Sequence, residues 1–153
     1  MLFAAYMDNG YKVMLLLHLL AVVVGFAPAW LTPMLVRLTT NGDRAAADAL
    51  DTSILRYSLP GLGVAGLLGF GLAGMSKVEG FDEPLYKMSQ TWLAIAIVLW
   101  LVLLAVTFFV ARPAIKALRD GDAAARGRVA MSTGVTHLIL VVMLYLMIFK
   151  PGL

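Results

Sequence analysis

KMSQTWLAIAIVLWLVLLAVTFFVAR, residues 87–112, holds 24 consecutive positions without Asp, Glu, Lys or Arg between Lys87 and Arg112. A helix needs about 20 apolar residues to cross a hydrocarbon core about 30 Å thick. Lipid offers no partner for backbone N–H and C=O groups, so a spanning segment pairs them within itself or in a closed barrel. The run is continuously apolar rather than alternating, which selects a helix over a barrel strand. Three further runs share this character: 24 residues between Lys12 and Arg37, 20 between Arg56 and Lys77, and 21 between Arg128 and Lys150. The reading is an all-α integral membrane protein, an antiparallel four-helix bundle with spans at about 12–37, 54–76, 90–112 and 128–149. Short connections leave no room for a second unit, so residues 1–153 are read as one membrane domain without internal repeats.

Composition agrees. Of 153 residues, 61% are hydrophobic and 14% charged, and the mean hydropathy is +0.90. Soluble domains carry about 25% charged residues, so this chain lacks the polar surface to cover itself in water. A disordered tail and a nucleic-acid-binding module are excluded, and the lipid bilayer is the expected partner. The chain has no cysteine, which removes disulfides, thiolate nucleophiles and Cys-ligated metals.

Lys and Arg in short loops set orientation. The first and third connections hold eight of them, among them Arg37, Arg44, Arg56, Arg112 and Arg128, against four on the opposite side. Those two connections are therefore expected in the cytoplasm, with both termini outward. They serve topology first, and they also suit anionic lipid head groups. Tyr6, Tyr11, Phe81, Tyr86, Trp92 and Phe149 are expected to form an outer aromatic belt. The segment before Lys12 lacks the positive start and cleavage site of a signal peptide, so the first span reads as retained. Asp43 is the expected N-cap of a helix entering the second span. The third span is expected to continue through Ala114 to Leu118, Gly121 to break it, and Asp122 to cap the fourth.

Inside the second span Gly66, Gly69 and Ala73 fall on one stripe at i, i+3, i+7. Small residues let membrane helices approach closely, so the stripe predicts tight helix contact, including contact with other membrane subunits or self-association. The competing reading lays a flat cofactor ring or quinone against it. Pro28 and Pro33 interrupt the first span, freeing carbonyls near Val24 and Ala29 and predicting a kink.

Two ionisable groups lie in the spans, His18 and His137. His18 shares a face with Val22, Gly25, Ala29 and Thr32; His137 shares one with Thr133 and Tyr145, beside Ser132 and Thr136. An intramembrane histidine is a functional-site hypothesis once its partner is named. The plainer reading is a neutral ring bonded to a hydroxyl or a backbone carbonyl. The chemistry that two inward histidines fit without cysteine is b-type haem, with His18 as the metal ligand and His137 as second ligand or polar neighbour. Counted from Lys12 and Lys150, their depths differ by about 10 Å, against the ~4 Å that two axial ligands of one iron require. No span carries Asp or Glu, so a carboxylate-driven proton exporter lacks its central residue. No nucleophile elbow, HExxH or phosphate-cradling glycine motif occurs.

Leu15-Leu16-Leu17-His18-Leu19-Leu20, Tyr57-Ser58-Leu59-Pro60-Gly61 and Ala111-Arg112-Pro113 resemble a group of small four-helix bacterial inner-membrane proteins of unassigned function. That group is distantly similar to CopD-type membrane domains and HemJ-type protoporphyrinogen oxidases, and the resemblance runs over most of the chain. It implies a cytoplasmic-membrane location and, through the HemJ-like early histidine, a haem role for His18 alone. The chain departs from the HemJ pattern at Trp30-Leu31-Thr32-Pro33-Met34 and lacks the later histidine of that span, so the oxidase activity is not carried over. Two readings follow. The first is a non-catalytic accessory or assembly subunit of a larger membrane complex. The second is a haem-binding, redox-linked bundle using His18. A small solute carrier is weakened by the missing acidic residues.

Overall fold

The computed structural model describes residues 9–40, 44–76, 85–87 and 89–151. Among them all regular structure is helical, in four helices long and apolar enough to cross a membrane. These are α1 (Asn9–Thr40), α2 (Arg44–Met75), α3 (Thr91–Arg119) and α4 (Ala125–Phe149). The chain is thus a multi-pass membrane protein by length and composition of its helices. Register shows α1 and α2 to be antiparallel: His18 meets Ala65 while Gly25 meets Ser58, so position in α2 falls as position in α1 rises.

α2 begins well before the apolar run, at Arg44, and α3 passes its end to Arg119 as the sequence predicts. Each is longer than a bilayer requires, because 30 residues of helix measure about 45 Å. The surplus packs at the arginine-rich end. Arg44–Ser53 lies against Arg112–Arg119, with Leu50 and Ile54 of α2 buried among Ala114, Ile115 of α3 and Val129 of α4. Arg112 donates to Asp51 and Arg119 to Asp48, both at 3.1 Å. Asp43 lies outside the described residues. At the α3–α4 turn Gly121 takes φ +99°, and the Gly121 and Asp122 N–H groups close back on Leu118 and Ala117, a glycine-type helix stop. Asp122 caps from just ahead of α4, accepting the Ala124 N–H at 2.9 Å and pairing with Arg128 at 3.1 Å.

Two short π-helical stretches, Ile54–Ser58 and Val106–Ala111, interrupt α2 and α3. Each leads into a proline, Pro60 or Pro113, in the first turn of the α-helix that follows. Proline lacks the N–H and crowds the carbonyl four residues back, and one extra residue in the preceding turn relieves that crowding. α1, by contrast, runs through Pro28 and Pro33 as α-helix. Donors arrive beside the expected gaps: Ser58 Oγ donates to the Gly25 carbonyl at 2.7 Å and Thr32 Oγ1 to that of Pro28 at 2.9 Å.

The most extensive pairing is α1 on the Leu59–Met75 part of α2, and its closest approach is at Gly25 and Gly61. A Cβ on Gly61 would stand 2.7 Å from the Gly25 nitrogen. At the middle of the bundle Phe26, Leu62, Leu103 and Ile139, one from each helix, form a core. At the lysine-bearing end a third cluster joins Ala73, Tyr86, Trp92, Leu93, Ala96 and Leu146, with no member from α1. Of the expected aromatic belt, Tyr11, Tyr86 and Trp92 turn inward and are buried, whereas Phe149 is exposed; Tyr6 and Phe81 lie outside the described residues. Tyr86 and Trp92 pack edge to face at 5.4 Å, an arrangement that favours aromatic pairs.

Candidate functional site

No residue of α1 joins the third cluster, and a cavity of about 350 Å³ lies between α1 and the other helices. All four helices and Tyr86 line it. Its lining runs from Phe26, Leu62 and Leu103 of the mid-bundle core to Tyr11, Tyr86 and Lys150 at the lysine-bearing end. Tyr11 and Phe26 are 15 residues apart on α1, about 22 Å of helix. The lining is overwhelmingly apolar, the usual character of a small-molecule site.

His18 lines this cavity, and its Nδ1 lies 2.8 Å from the Ala65 carbonyl oxygen. A carbonyl only accepts, so Nδ1 is the protonated nitrogen, and in the neutral ring Nε2 keeps its lone pair. A backbone carbonyl that fixes tautomer and orientation in this way is the usual support of a ligating imidazole. The plainer expectation for His18, a bond to a backbone carbonyl, thus holds for one nitrogen and leaves the other available.

The glycine stripe faces this interior. Gly66 lies directly beneath the Trp100 indole, where a Cβ would overlap the ring. Trp100 Nε1 donates to the Leu62 carbonyl at 2.8 Å, so the ring is fixed. Gly69 faces His18, a Cβ there standing 3.5 Å from the imidazole Cε1, and Ala73 is buried in the cluster at the lysine-bearing end. Flat rings do lie on the stripe, and they are the chain's own. The close helix contact expected of the stripe occurs at Gly25 and Gly61.

His137 lies elsewhere. Its ring packs on Trp30 at 4.5 Å between centroids, and it does not line the cavity. Trp30 is twelve residues beyond His18 on α1, about 18 Å along the axis. The two imidazoles are not brought together, and one iron cannot take both as axial ligands in this arrangement. His137 Nε2 is buried without a hydrogen-bond partner. Its neighbours Ser132 and Thr133 instead donate to the Val129 carbonyl, both at 2.9 Å. Among the described residues no three His, Cys, Asp or Glu side chains converge on a point, so a metal at His18 would need its remaining ligands from a prosthetic group.

Sequence reading missed Trp100, Phe26 and Lys150 as parts of the site. Trp100 had a usable signal: it stands in mid-span, whereas membrane tryptophans concentrate at the interfaces. Phe26 and Lys150 had none, being an ordinary apolar residue and an ordinary span-flanking lysine.

Fold and site together define a multi-pass all-α membrane bundle with an apolar cavity around one oriented imidazole. Comparison with protein-family models, curated proteins and solved structures finds no match to this chain.

Proposed function

We propose that this protein binds an apolar, ring-bearing prosthetic group within the membrane, a b-type haem held by His18 Nε2. The observation that carries the reading is the 2.8 Å bond from His18 Nδ1 to the Ala65 carbonyl, which leaves a lone pair on the nitrogen opposite. The donor set fits: a porphyrin brings four ligands of its own, so one protein imidazole suffices. Phe26, Phe70 and Trp100 supply flat apolar walls, and burial among them excludes water from the iron side of the ring. Bound haem supplies a one-electron couple. The accessory-subunit reading sets the glycine helix against a larger membrane complex; Gly66 and Gly69 of that helix meet Trp100 and His18 of this chain, which supports the cavity as the place of function.

Protein purified in mild detergent is expected to show a b-type reduced-minus-oxidised absorbance spectrum. His18→Ala is expected to abolish it and His137→Ala to retain it. A colourless preparation overturns the reading and returns the accessory role to first place.

The proposed setting is a bacterial cytoplasmic membrane, with the Arg-bearing connections inside and both termini outward. The absence of cysteine makes this simple to test with single introduced thiols. Ala123→Cys, on the exposed α3–α4 turn, is expected to resist an impermeant maleimide in intact cells, and Ser89→Cys, exposed ahead of α3, to react with it. The reverse pattern inverts the topology.

A further inference from the structure

α1 and α4 share a seam whose two parts differ. Toward the arginine-bearing end it is closed: the Trp30 ring packs on His137 at 4.5 Å between centroids, and Phe26 joins Ile139 in the mid-bundle core. Toward the lysine-bearing end, Leu146 of α4 is buried in a cluster that no residue of α1 joins. The cavity lies along this second part, lined by Leu15 and Leu19 of α1 and by Met143 and Leu144 of α4.

Helical register carries the seam from one part to the other. Leu19 stands eleven residues before Trp30, about three turns, and Leu144 seven residues after His137, about two. Each therefore lies on the face of its helix that meets the other helix at the closed end. Both line the cavity, yet Leu19 is 51% exposed and Leu144 48% exposed. Every other described lining residue is buried or half-buried. A side chain that borders a cavity and also faces the surroundings stands where the cavity reaches the surface. The flank between α2 and α3 is packed instead: Trp100 covers Gly66, donates to the Leu62 carbonyl and meets Phe70 edge to face at 6.0 Å.

Leu19 is seven residues beyond Lys12 and Leu144 six before Lys150, so each stands about 10 Å inside its flanking lysine. In a hydrocarbon core about 30 Å thick that is the depth of acyl chains, and it is the level of His18. We propose that this seam is a side entrance through which the cavity takes a flat, lipid-dissolved ring compound directly from the hydrocarbon, with Leu19 and Leu144 as its two edges. The inference rests on the His18 reading above and adds the source of the ligand. A strongly hydrated compound would have to shed its water before reaching these leucines, whereas one that partitions into the membrane has already done so.

Single introduced thiols test the entrance in a chain without cysteine. Leu19→Cys and Leu144→Cys are compared with Val98→Cys, at an exposed position of α3 outside the lining. Each full chain is placed in phosphatidylcholine nanodiscs, reacted with N-benzylmaleimide, and mixed with phosphatidylcholine vesicles carrying haem. The absorbance band of ligated haem follows uptake. Modified Leu19→Cys and Leu144→Cys are expected to load about tenfold more slowly than the same proteins unmodified, the effect of a modest added barrier. Modified Val98→Cys is expected to load at its unmodified rate. Modification after loading is expected to leave the band in place, which shows the site itself undisturbed. An unslowed rate at either leucine position, equal slowing at Val98, or loss of the band from loaded protein overturns the entrance while the His18 site stands. Absence of the band in every unmodified protein overturns the His18 reading and the entrance with it.

Discussion

Gly61→Ala is expected to lower stability by about 3 kcal/mol, and Gly61→Val to prevent the bundle from folding. The new Cβ would lie 2.7 Å from the backbone nitrogen and 2.8 Å from the Cα of Gly25. Both are main-chain atoms of a helix that cannot yield by rotating a side chain, so α1 as a whole would have to move away. That movement would also strain the Ser58 hydroxyl's bond to Gly25 and the His18 bond to Ala65. The effect therefore reaches the cavity as well as the fold. Gly63→Ala and Gly74→Ala supply the control: nothing lies within 4 Å of a Cβ at either position, and alanine favours helix over glycine by about 0.5–1 kcal/mol. Unfolding of the four variants in detergent, followed by far-ultraviolet circular dichroism against temperature, checks the order. A Gly61→Ala protein as stable as Gly63→Ala would show that α1 and α2 do not cross there.

The second large effect separates the two solvents this chain meets. Leu50→Ala is expected to cost about 2–5 kcal/mol, as for a buried leucine in a water-soluble protein. Leu67→Ala is expected to change stability by less than about 0.5 kcal/mol. Leu50 is 1% exposed, enclosed by Ile54, Ala114, Ile115 and Val129 where α2 and α3 pass beyond the length a bilayer requires. Its truncation leaves a void that packed neighbours cannot close. Leu67 is 67% exposed on the spanning part of α2, where an acyl chain refills the space a shortened side chain vacates. The same detergent unfolding measurement compares the pair, and equal losses would mean that Leu67 packs against protein rather than lipid.

Much of the architecture was legible because membrane crossing is written in composition and length. Four charge-free runs of at least 20 residues force backbone pairing within each run, and helices follow. The Gly121 stop was legible too, since positive φ at a helix end calls for glycine. His18 stood out because a titratable group in hydrocarbon is costly without a purpose. The π-helical stretches were not anticipated, although their prolines, Pro60 and Pro113, were in plain view. Proline signals a disturbed helix, and it does not say whether the helix widens, as α2 and α3 do, or continues, as α1 does past Pro28 and Pro33.

The direction each side chain faces was another matter. In the water-side stretch Arg44–Ser53 the polar and apolar positions separate, and Ala46, Ala47 and Leu50 mark the buried face. Thr91–Ala105 is apolar on every side, so nothing in its pattern distinguishes Trp92, which is buried, from Val98, which is exposed. The chain alone determined that the protein is helical, that four of its segments are long and apolar enough to cross lipid, and which two imidazoles lie within those segments. Tertiary structure decided that Trp100 rather than a neighbouring protein covers Gly66, that Gly25 and Gly61 form the crossing, and that His18 and His137 serve different places. The reason is that acyl chains and the bundle interior are equally apolar. Hydrophobicity can therefore draw a helix into the membrane, and only packing and hydrogen bonds can tell it which way to turn.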